Sequence, residues 1–215
     1  MPSRLFAGAL VGVLVAAISP AEASDRWEAG LRVRSVHAQG EPADDMVYLG
    51  AIGSYRFREN WYVGFGVEKV EYDFERPAIF LDLKQDPNLP AIDAEVTGTL
   101  LSGWVEREYG RPESKTRWFW SAGLGLDAPS AERVGGPLAG GAGSFDIESD
   151  VGLEIVTSGG GGVRWTLARH WKVELAGRVD YYLADWKVED RVSGRTGSIG
   201  TYAAPGAHFG VSYRF

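Results

Sequence analysis

Eight stretches of this sequence alternate apolar and polar side chains with a period of two, which is the repeat of a β-strand and not of a helix. They run Arg26–Val36, Met46–Phe57, Trp61–Phe74, Ile92–Glu108, Arg117–Asp127, Val151–Leu167, Trp171–Ala184 and Gly200–Phe215. A tilted β-strand crosses a membrane with about 9–11 residues, and each stretch is at least that long. The pattern therefore predicts eight strands of membrane-spanning length.

The connections between these stretches alternate in length. Short connections follow the even-numbered stretches, at 58–60, 109–116 and 168–170. Long connections follow the odd-numbered stretches, at 37–45, 75–91, 128–150 and 185–199. Short turns at one end and long loops at the other are typical of outer-membrane barrels. We therefore predict an all-β fold, an eight-stranded antiparallel up-and-down transmembrane β-barrel.

The N-terminal residues 1–23 have the organisation of a secretory signal peptide. Arg4 provides a positive charge, an apolar run follows from Leu5 to Ile18, and Ala21-Glu22-Ala23 is an A-x-A cleavage site. The run is too short for a membrane-spanning helix, which disfavours the alternative of a retained anchor. Residues 24–215 are then the barrel domain, exported from the cytoplasm.

Composition excludes several classes of function. The chain has no Cys, so a disulfide or a thiolate metal site is impossible, and the presence of three His alone argues against a His/Cys metal centre. The formal net charge of −7 argues against a nucleic-acid partner. We expect no metal and no cofactor.

Aromatic residues are sorted by strand end. Trp27, Trp61, Trp118 and Trp171 begin odd-numbered stretches, while Trp104 and Trp165 lie near the ends of even-numbered ones. An antiparallel meander brings all these positions to one edge of the sheet. Because amphipathic rings collect at the membrane–water interface, we predict an aromatic girdle there.

The chain stops on an aromatic residue at the end of a strand. A closed barrel explains this, because its last strand pairs with its first and is not an edge. The pattern formed by His208, Gly210, Tyr213 and Phe215 also resembles the C-terminal assembly signal of bacterial outer-membrane barrels.

Two further segments resemble the hairpins of small eight-stranded barrels of the outer membrane protein A-like and opacity-like families. They are GSYRFRENWYVGFGVE (Gly53–Glu68) and GVRWTLARHWKVELAGRVDYY (Gly162–Tyr182). The resemblance implies a location in the Gram-negative outer membrane and contact with its lipid and lipopolysaccharide. It also implies recognition by the barrel assembly machinery through the C-terminal strand, and we expect a monomer. It implies no particular activity.

The alternation places charged side chains of both signs inside the barrel. This predicted lumen network comprises Arg32, Arg34, Glu68, Glu95, Glu154, Arg164, Glu174, Arg178 and Asp180. The interior of an eight-stranded barrel is just wide enough for side chains to fill, and unpaired buried charge is costly. We therefore favour a filled, ion-paired lumen and a structural or loop-mediated surface role.

Two other functions stay open. Inward-facing glycines, among them Gly64, Gly66 and Gly160, either leave a cavity or give large side chains room to cross the lumen, so a narrow porin-like channel for small solutes is the first alternative. The second is a lipid A-directed acyl hydrolase using Ser35, His37 and Asp44, since a Ser, a His and a carboxylate at the rim are the groups of a hydrolytic triad. Known barrels of that activity show His-x-Ser on a late strand, whereas this chain has Ser-x-His on the first, so we predict no enzyme.

Overall fold

The computed structural model describes residues 26–37, 46–74, 94–111, 113–131, 133–138 and 143–215. The predicted signal peptide lies outside these ranges. Twelve strands are present in them: β1 (Trp27–Val36), β2 (Met46–Arg58), β3 (Trp61–Phe74), β4 (Ala94–Tyr109), β5 (Thr116–Ala131), β6 (Val134–Pro137), β7 (Ser144–Asp150), β8 (Glu154–Thr166), β9 (Trp171–Leu183), β10 (Trp186–Asp190), β11 (Arg195–Ile199) and β12 (Tyr202–Arg214). No helix within this part of the chain is long and apolar enough to cross a membrane.

Eight strands form a closed barrel in the order β1-β12-β9-β8-β5-β4-β3-β2, and every neighbouring pair is antiparallel. Closure joins the first and last strands: Glu28 pairs with Arg214, and the pairing continues to Val36 opposite Gly206. The backbone N–H of Phe215 donates to the carbonyl of Trp27 at 3.1 Å. The predicted fold class is confirmed, and the terminal strand is paired on both sides.

The remaining strands form a second sheet in the order β11-β10-β7-β6. This external sheet prolongs the wall made by β12, β9, β8 and β5 beyond the barrel. The interpretation of 128–150 and 185–199 as loops was therefore wrong in part. The strand repeat persists there, since Phe145 and Ile147 of β7, like Trp186 and Val188 of β10, are buried at alternate positions. Glycines and charged residues around them hid that repeat.

The outward face of the barrel is apolar. Side chains exposed there over about half of their surface include Leu31, Val33, Phe65, Leu101, Leu124, Leu175 and Phe209. A soluble monomer rarely exposes a continuous apolar surface of this extent. Lipid hydrocarbon tails are themselves apolar, so contact with them keeps this surface out of water. It is therefore the lipid-facing band of the barrel.

The inward face of β4 differs from the prediction at Glu95. Glu95 is exposed on the outer face, while Val96 and Leu100 are buried inside. Alternation continues without a break down the strand, so Glu106 and Glu108 are buried in the lumen. The assignment of Glu95 to the lumen was wrong because the register of β4 was taken one residue out of phase, which exchanges the two faces of a strand.

A hydrophobic cluster fills the end of the molecule that lies away from the short connections. We call the barrel end that carries the three short connections and both paired chain ends the turn end, and the opposite end the loop end. The cluster combines inward side chains near the loop end with those of the external sheet: Val36, Met46, Tyr48, Val70, Val96, Leu100, Phe145, Ile147, Val156, Tyr182, Ala184, Trp186, Val188, Tyr202 and Ala204. We call it the apolar plug. The charged lumen residues lie between the apolar plug and the turn end.

Candidate functional site

Arg164 of β8 is the centre of the charged lumen near the turn end. Its Nη1 lies 2.5 Å from Oε1 of Glu106 and 2.5 Å from Oε1 of Glu108. Its Nε and Nη2 donate to Oε2 of Glu174 at 3.1 and 2.5 Å. All four side chains are buried, so each charge depends on these partners in place of water.

A second group surrounds this one at the turn end. The ammonium of Lys172 donates to Glu28, and Nε of Arg214 donates to the same carboxylate at 3.1 Å. Nη1 of Arg117 donates to Oε2 of Glu108 at 2.9 Å. Together with the contacts of Arg164, these bonds join six of the eight barrel strands, namely β1, β4, β5, β8, β9 and β12.

A central ion-pair layer lies between this group and the apolar plug. Arg32 binds Glu68 with two hydrogen bonds of 3.2 Å, from Nε and from Nη2. Arg34 contacts both Glu68, at 3.5 Å, and Asp180. Arg178 donates to Asp180 from Nε at 2.9 Å and from Nη2 at 2.6 Å. Five of the predicted lumen charges thus form one connected layer.

Aromatic rings complete the central layer. The guanidinium of Arg32 lies 4.6 Å from the ring centroid of Trp104, and that of Arg34 lies 3.8 Å from the ring centroid of Tyr48. Trp104 therefore belongs to the lumen and not to the girdle. Gly64, the residue paired with Trp104 on the neighbouring strand β3, makes this possible, because a Cβ at that position would overlap the indole ring. Inward glycines here accommodate large side chains.

Tyrosines and the carboxylates of Asp127 and Glu154 form the boundary between the central layer and the apolar plug. The hydroxyls of Tyr48 and Tyr182 share a 2.7 Å hydrogen bond, and the rings of Tyr182 and Tyr202 stack at 4.8 Å. Glu154, predicted to join the ion pairs, accepts a hydrogen bond from the indole N–H of Trp186. That contact ties the barrel wall to the external sheet and corrects the role assigned to Glu154.

Two cavities lie in the charged part of the lumen. One of about 20 Å³ lies between the two charged layers and is lined by Arg32, Trp104, Glu174 and His208 among others. The other, of about 160 Å³, lies at the turn end beside Arg117 and Arg214. Neither of the two is lined by a residue of the apolar plug. These cavities therefore do not form a path through the barrel.

The other five tryptophans predicted for the girdle lie near the turn end. Trp118 and Trp171 are exposed by 65% and 49%, and Trp27 by 39%. Trp61 and Trp165 are partly exposed. Ring contacts link them to neighbours at the same level: Trp27 with Tyr55 at 4.8 Å, Trp61 with Trp120 at 5.7 Å and Trp171 with Tyr213 at 5.2 Å.

The residues of the C-terminal pattern do not form one cluster in the structure. His208 is buried in the lumen with Nε2 3.3 Å from Oε1 of Glu174, and Gly210 lies opposite Glu174 on β9. A Cβ on Gly210 would be 2.9 Å from Cγ of Glu174, so the glycine leaves room for that side chain. The ring of Tyr213 is partly exposed and contacts the ring of Phe215 at 5.4 Å.

Two of the three residues considered for hydrolysis lie at the opposite rim. Ser35 and His37 are both exposed and lie near the loop end of the barrel. The backbone N–H of His37 donates to the carbonyl of Pro205 at 2.8 Å. Asp44 lies outside the described residues, so the grouping of the three stays a prediction.

Charged contacts stiffen the external sheet. Arg133 pairs with Asp146, and Arg191 pairs with Glu148. Asp190 ends β10 and accepts hydrogen bonds from the backbone N–H of Asp146 at 2.9 Å and from the hydroxyl of Ser193 at 2.5 Å. Partial burial raises the pKa of Asp190, but these hydrogen bonds outweigh that effect and hold its pKa below the ordinary value.

Solved structures share this architecture. The outer membrane protein OprG from Pseudomonas aeruginosa superposes with a TM-score of 0.58 at 14% identity, covering 90% of this chain and 97% of its own. Neisserial surface protein A superposes with a TM-score of 0.51 at 15% identity, covering 90% of this chain and 99% of its own. The sequence matches no protein-family model and no curated protein.

These likenesses concern the fold, and they agree with the closed barrel and its lipid-facing band. The resemblance to small eight-stranded outer-membrane barrels is confirmed at the level of architecture. The molecule is an outer-membrane-type barrel, and the predicted location is that of the solved proteins of this architecture.

Proposed function

We propose that this chain is a closed, non-conducting barrel of the Gram-negative outer membrane whose role is exerted at the cell surface through its external sheet. The turn end, with both chain ends, faces the periplasm, and the loop end faces the exterior. This orientation follows from the short and long connections, which are sorted in the same way in outer-membrane barrels.

One observation carries the proposal: the apolar plug is continuous between barrel and external sheet. Trp186 and Phe145 of the sheet belong to the same buried cluster as Val36 and Met46 at the loop end of the barrel. A water-filled conduit would have to separate these side chains and expose them. The free energy of that exposure is about 1.5–3 kcal/mol for each large apolar side chain, which favours the closed state.

The lower part of the lumen supports closure independently. Around Arg164, four cationic groups (Arg117, Arg164, Lys172 and Arg214) face four carboxylates (Glu28, Glu106, Glu108 and Glu174). Balanced charge of this kind leaves no net repulsion to hold the lumen open. Buried pairs also become strongly unfavourable when one partner moves away, so the layer resists local opening.

The external sheet supplies a surface for recognition. Its outer face exposes Lys187 and Glu189 of β10, while the inner face is fixed by the apolar plug. Groups presented by a rigid scaffold are well suited to binding, because little conformational freedom is lost when a partner is bound. Among the described residues, the sheet is therefore the part best placed to contact partners outside the cell.

The remaining partners follow from the surface of the barrel. We propose that lipid covers the apolar band and that lipopolysaccharide contacts the rim above it, where Lys69 and Glu71 replace apolar residues on the outer face of β3. We propose further that the barrel assembly machinery recognises β12 before it pairs with β1, and that the folded protein is a monomer.

Conductance of the refolded protein in a planar bilayer tests closure. Wild type and Arg178→Ala are compared after folding and insertion have been verified by protease protection in vesicles. We expect no discrete openings from either protein. Openings of the wild type whose size changes in Arg178→Ala would replace this proposal with the narrow-channel alternative, because that residue lines the central layer.

A further inference from the structure

The cavity at the turn end is unusual in its charge. Its volume is about 160 Å³, well above the roughly 10–15 Å³ that one water requires. Five cationic side chains line it, namely Lys115, Arg117, Arg164, Lys172 and Arg214. Only Glu108 and Glu113 contribute carboxylates to the same lining.

The excess of cations arises because some of the carboxylates that pair with them lie outside the cavity lining. Lys172 and Arg214 share the single carboxylate of Glu28, and Arg164 pairs with Glu106. Neither of these two carboxylates lines the cavity. Glu108, which pairs with Arg117 and Arg164, is part of the lining, so the cavity keeps an excess of positive charge from five cations against two carboxylates.

Hydrogen-bond donors are also available toward the opening. A guanidinium carries five N–H groups in a planar fork. In the described residues, the side-chain hydrogen bond of Arg214 is that from Nε to Glu28, which leaves its two terminal nitrogens for a ligand. Lys172, only 4% exposed, lies at the back of the cavity as a second donor.

The cavity lies at the level of the aromatic girdle. Trp165 pairs with Thr116 next to Lys115 and Arg117, and Trp171 precedes Lys172 and pairs with Tyr213. Such girdles lie at the depth of lipid headgroups. An anionic group of the inner leaflet or of the periplasm is therefore within reach of the opening.

We propose that this cavity binds a phosphate-type oxyanion, carried either by a phospholipid headgroup of the inner leaflet or by a soluble phosphate ester of the periplasm. Arginine forks match the oxygens of phosphate in pairs, and lysine adds a point charge. The inference does not depend on the lumen being closed, because the site is at the mouth of the barrel.

Binding of inorganic phosphate to the full mature chain, refolded in alkyl maltoside micelles that contain no phosphate, is measured by calorimetry. We expect saturable binding that weakens about tenfold or more in Arg214→Gln, as the loss of a charge-assisted hydrogen bond to an anion predicts. Lys115→Gln is the second variant, because exposed Lys115 can be changed without disturbing the buried ion pairs. It should weaken binding severalfold.

Arg111→Gln is the matched control, since Arg111 is an exposed cation of the same turn that does not line the cavity. Its binding should equal that of the wild type. Absence of saturable binding, or equal weakening in Arg111→Gln and Lys115→Gln, overturns the proposal.

Competition with short-chain phosphatidylglycerol then identifies the source of the phosphate. Displacement of inorganic phosphate by this lipid at lower concentration supports a headgroup, whereas displacement only by a soluble sugar phosphate supports a periplasmic ester. Conductance is recorded on the same preparations. A protein that conducts and still binds phosphate contradicts the proposed closure alone, and a silent protein that binds none contradicts the phosphate site alone.

Discussion

Arg34 and Asp180, which are 146 positions apart in the sequence, form an ion pair inside the barrel between strands that are not neighbours. Both side chains have no exposed surface. Each has one further partner of opposite charge: Glu68 for Arg34, and Arg178 for Asp180. The pair therefore links β1 to β9 across the intervening strand β12, in addition to the backbone ladder.

Asp180→Ala should reduce the free energy of unfolding by about 3–5 kcal/mol, because it leaves two buried guanidinium groups short of a counter-charge. Urea titration of the barrel in vesicles, followed by tryptophan fluorescence, measures this change. Arg191→Gln removes a half-exposed cation from the external sheet, where an ion pair contributes at most about 1 kcal/mol. Equal losses in the two variants would contradict a central role for the buried pair.

Gly210→Ala should destabilise the barrel by about 1–3 kcal/mol, because the added methyl group would press on Glu174 and displace it from Arg164. Gly177→Ala is the control: Gly177 is also within a barrel strand, but a Cβ there meets no atom within 4 Å. Urea midpoints and refolding yields of both variants are compared with those of the wild type. If Gly177→Ala proves as harmful as Gly210→Ala, the cost lies in backbone conformation and not in space for Glu174.

The external sheet should lose order in acid. Because the folded-state pKa of Asp190 is depressed, its contribution to stability is fully present above its unfolded value, about 3.9, and is lost as the pH falls through the lower folded value. The backbone N–H groups of Asp146 and Ser193 donate hydrogen bonds to Asp190. Amide hydrogen exchange at these two residues reports the loss of order between pH 7 and pH 2. Asp190→Asn should show weaker protection at neutral pH and a flatter pH profile. A wild-type profile as flat as that of the variant would assign the acid response to other groups.

The strands could be predicted from sequence because the period-two repeat depends on one strand at a time. The register of a strand is harder, as β4 shows: its charges at both ends and its apolar middle fit either phase until the pairing with β3 and β5 is known. Trp104 together with Glu106 and Glu108 on one face, opposite Leu101 and Val105, was the available signal. Weighing that apolar pair as lipid-facing identifies the correct phase.

The external sheet could not be predicted in the same way. Its strands are short, and their buried positions are apolar because of contacts with the apolar plug, which involves residues from distant parts of the chain. Glu154 illustrates the same limit. Parity alone placed it inside, but its hydrogen bond with Trp186 depends on how the sheet continues the barrel wall. Which side chains contact each other inside the lumen depends on how the strands come together in the closed barrel.

The apolar plug and the central ion-pair layer each close the lumen, one after the other along the barrel axis. Damage to one of them alone is therefore predicted not to open the barrel. Trp186→Ala removes a large buried ring from the apolar plug and leaves Glu154 without its indole donor, so a loss of about 3–5 kcal/mol in stability is expected. The ion pairs of the central layer remain intact, and the narrowest remaining constriction still determines conductance. Planar bilayer recordings of Trp186→Ala should therefore stay silent, like those of Lys187→Ala, an exposed neighbour used as the control. Discrete openings in Trp186→Ala would show that the apolar plug is the sole barrier and that the charged layers below it hold enough water to conduct.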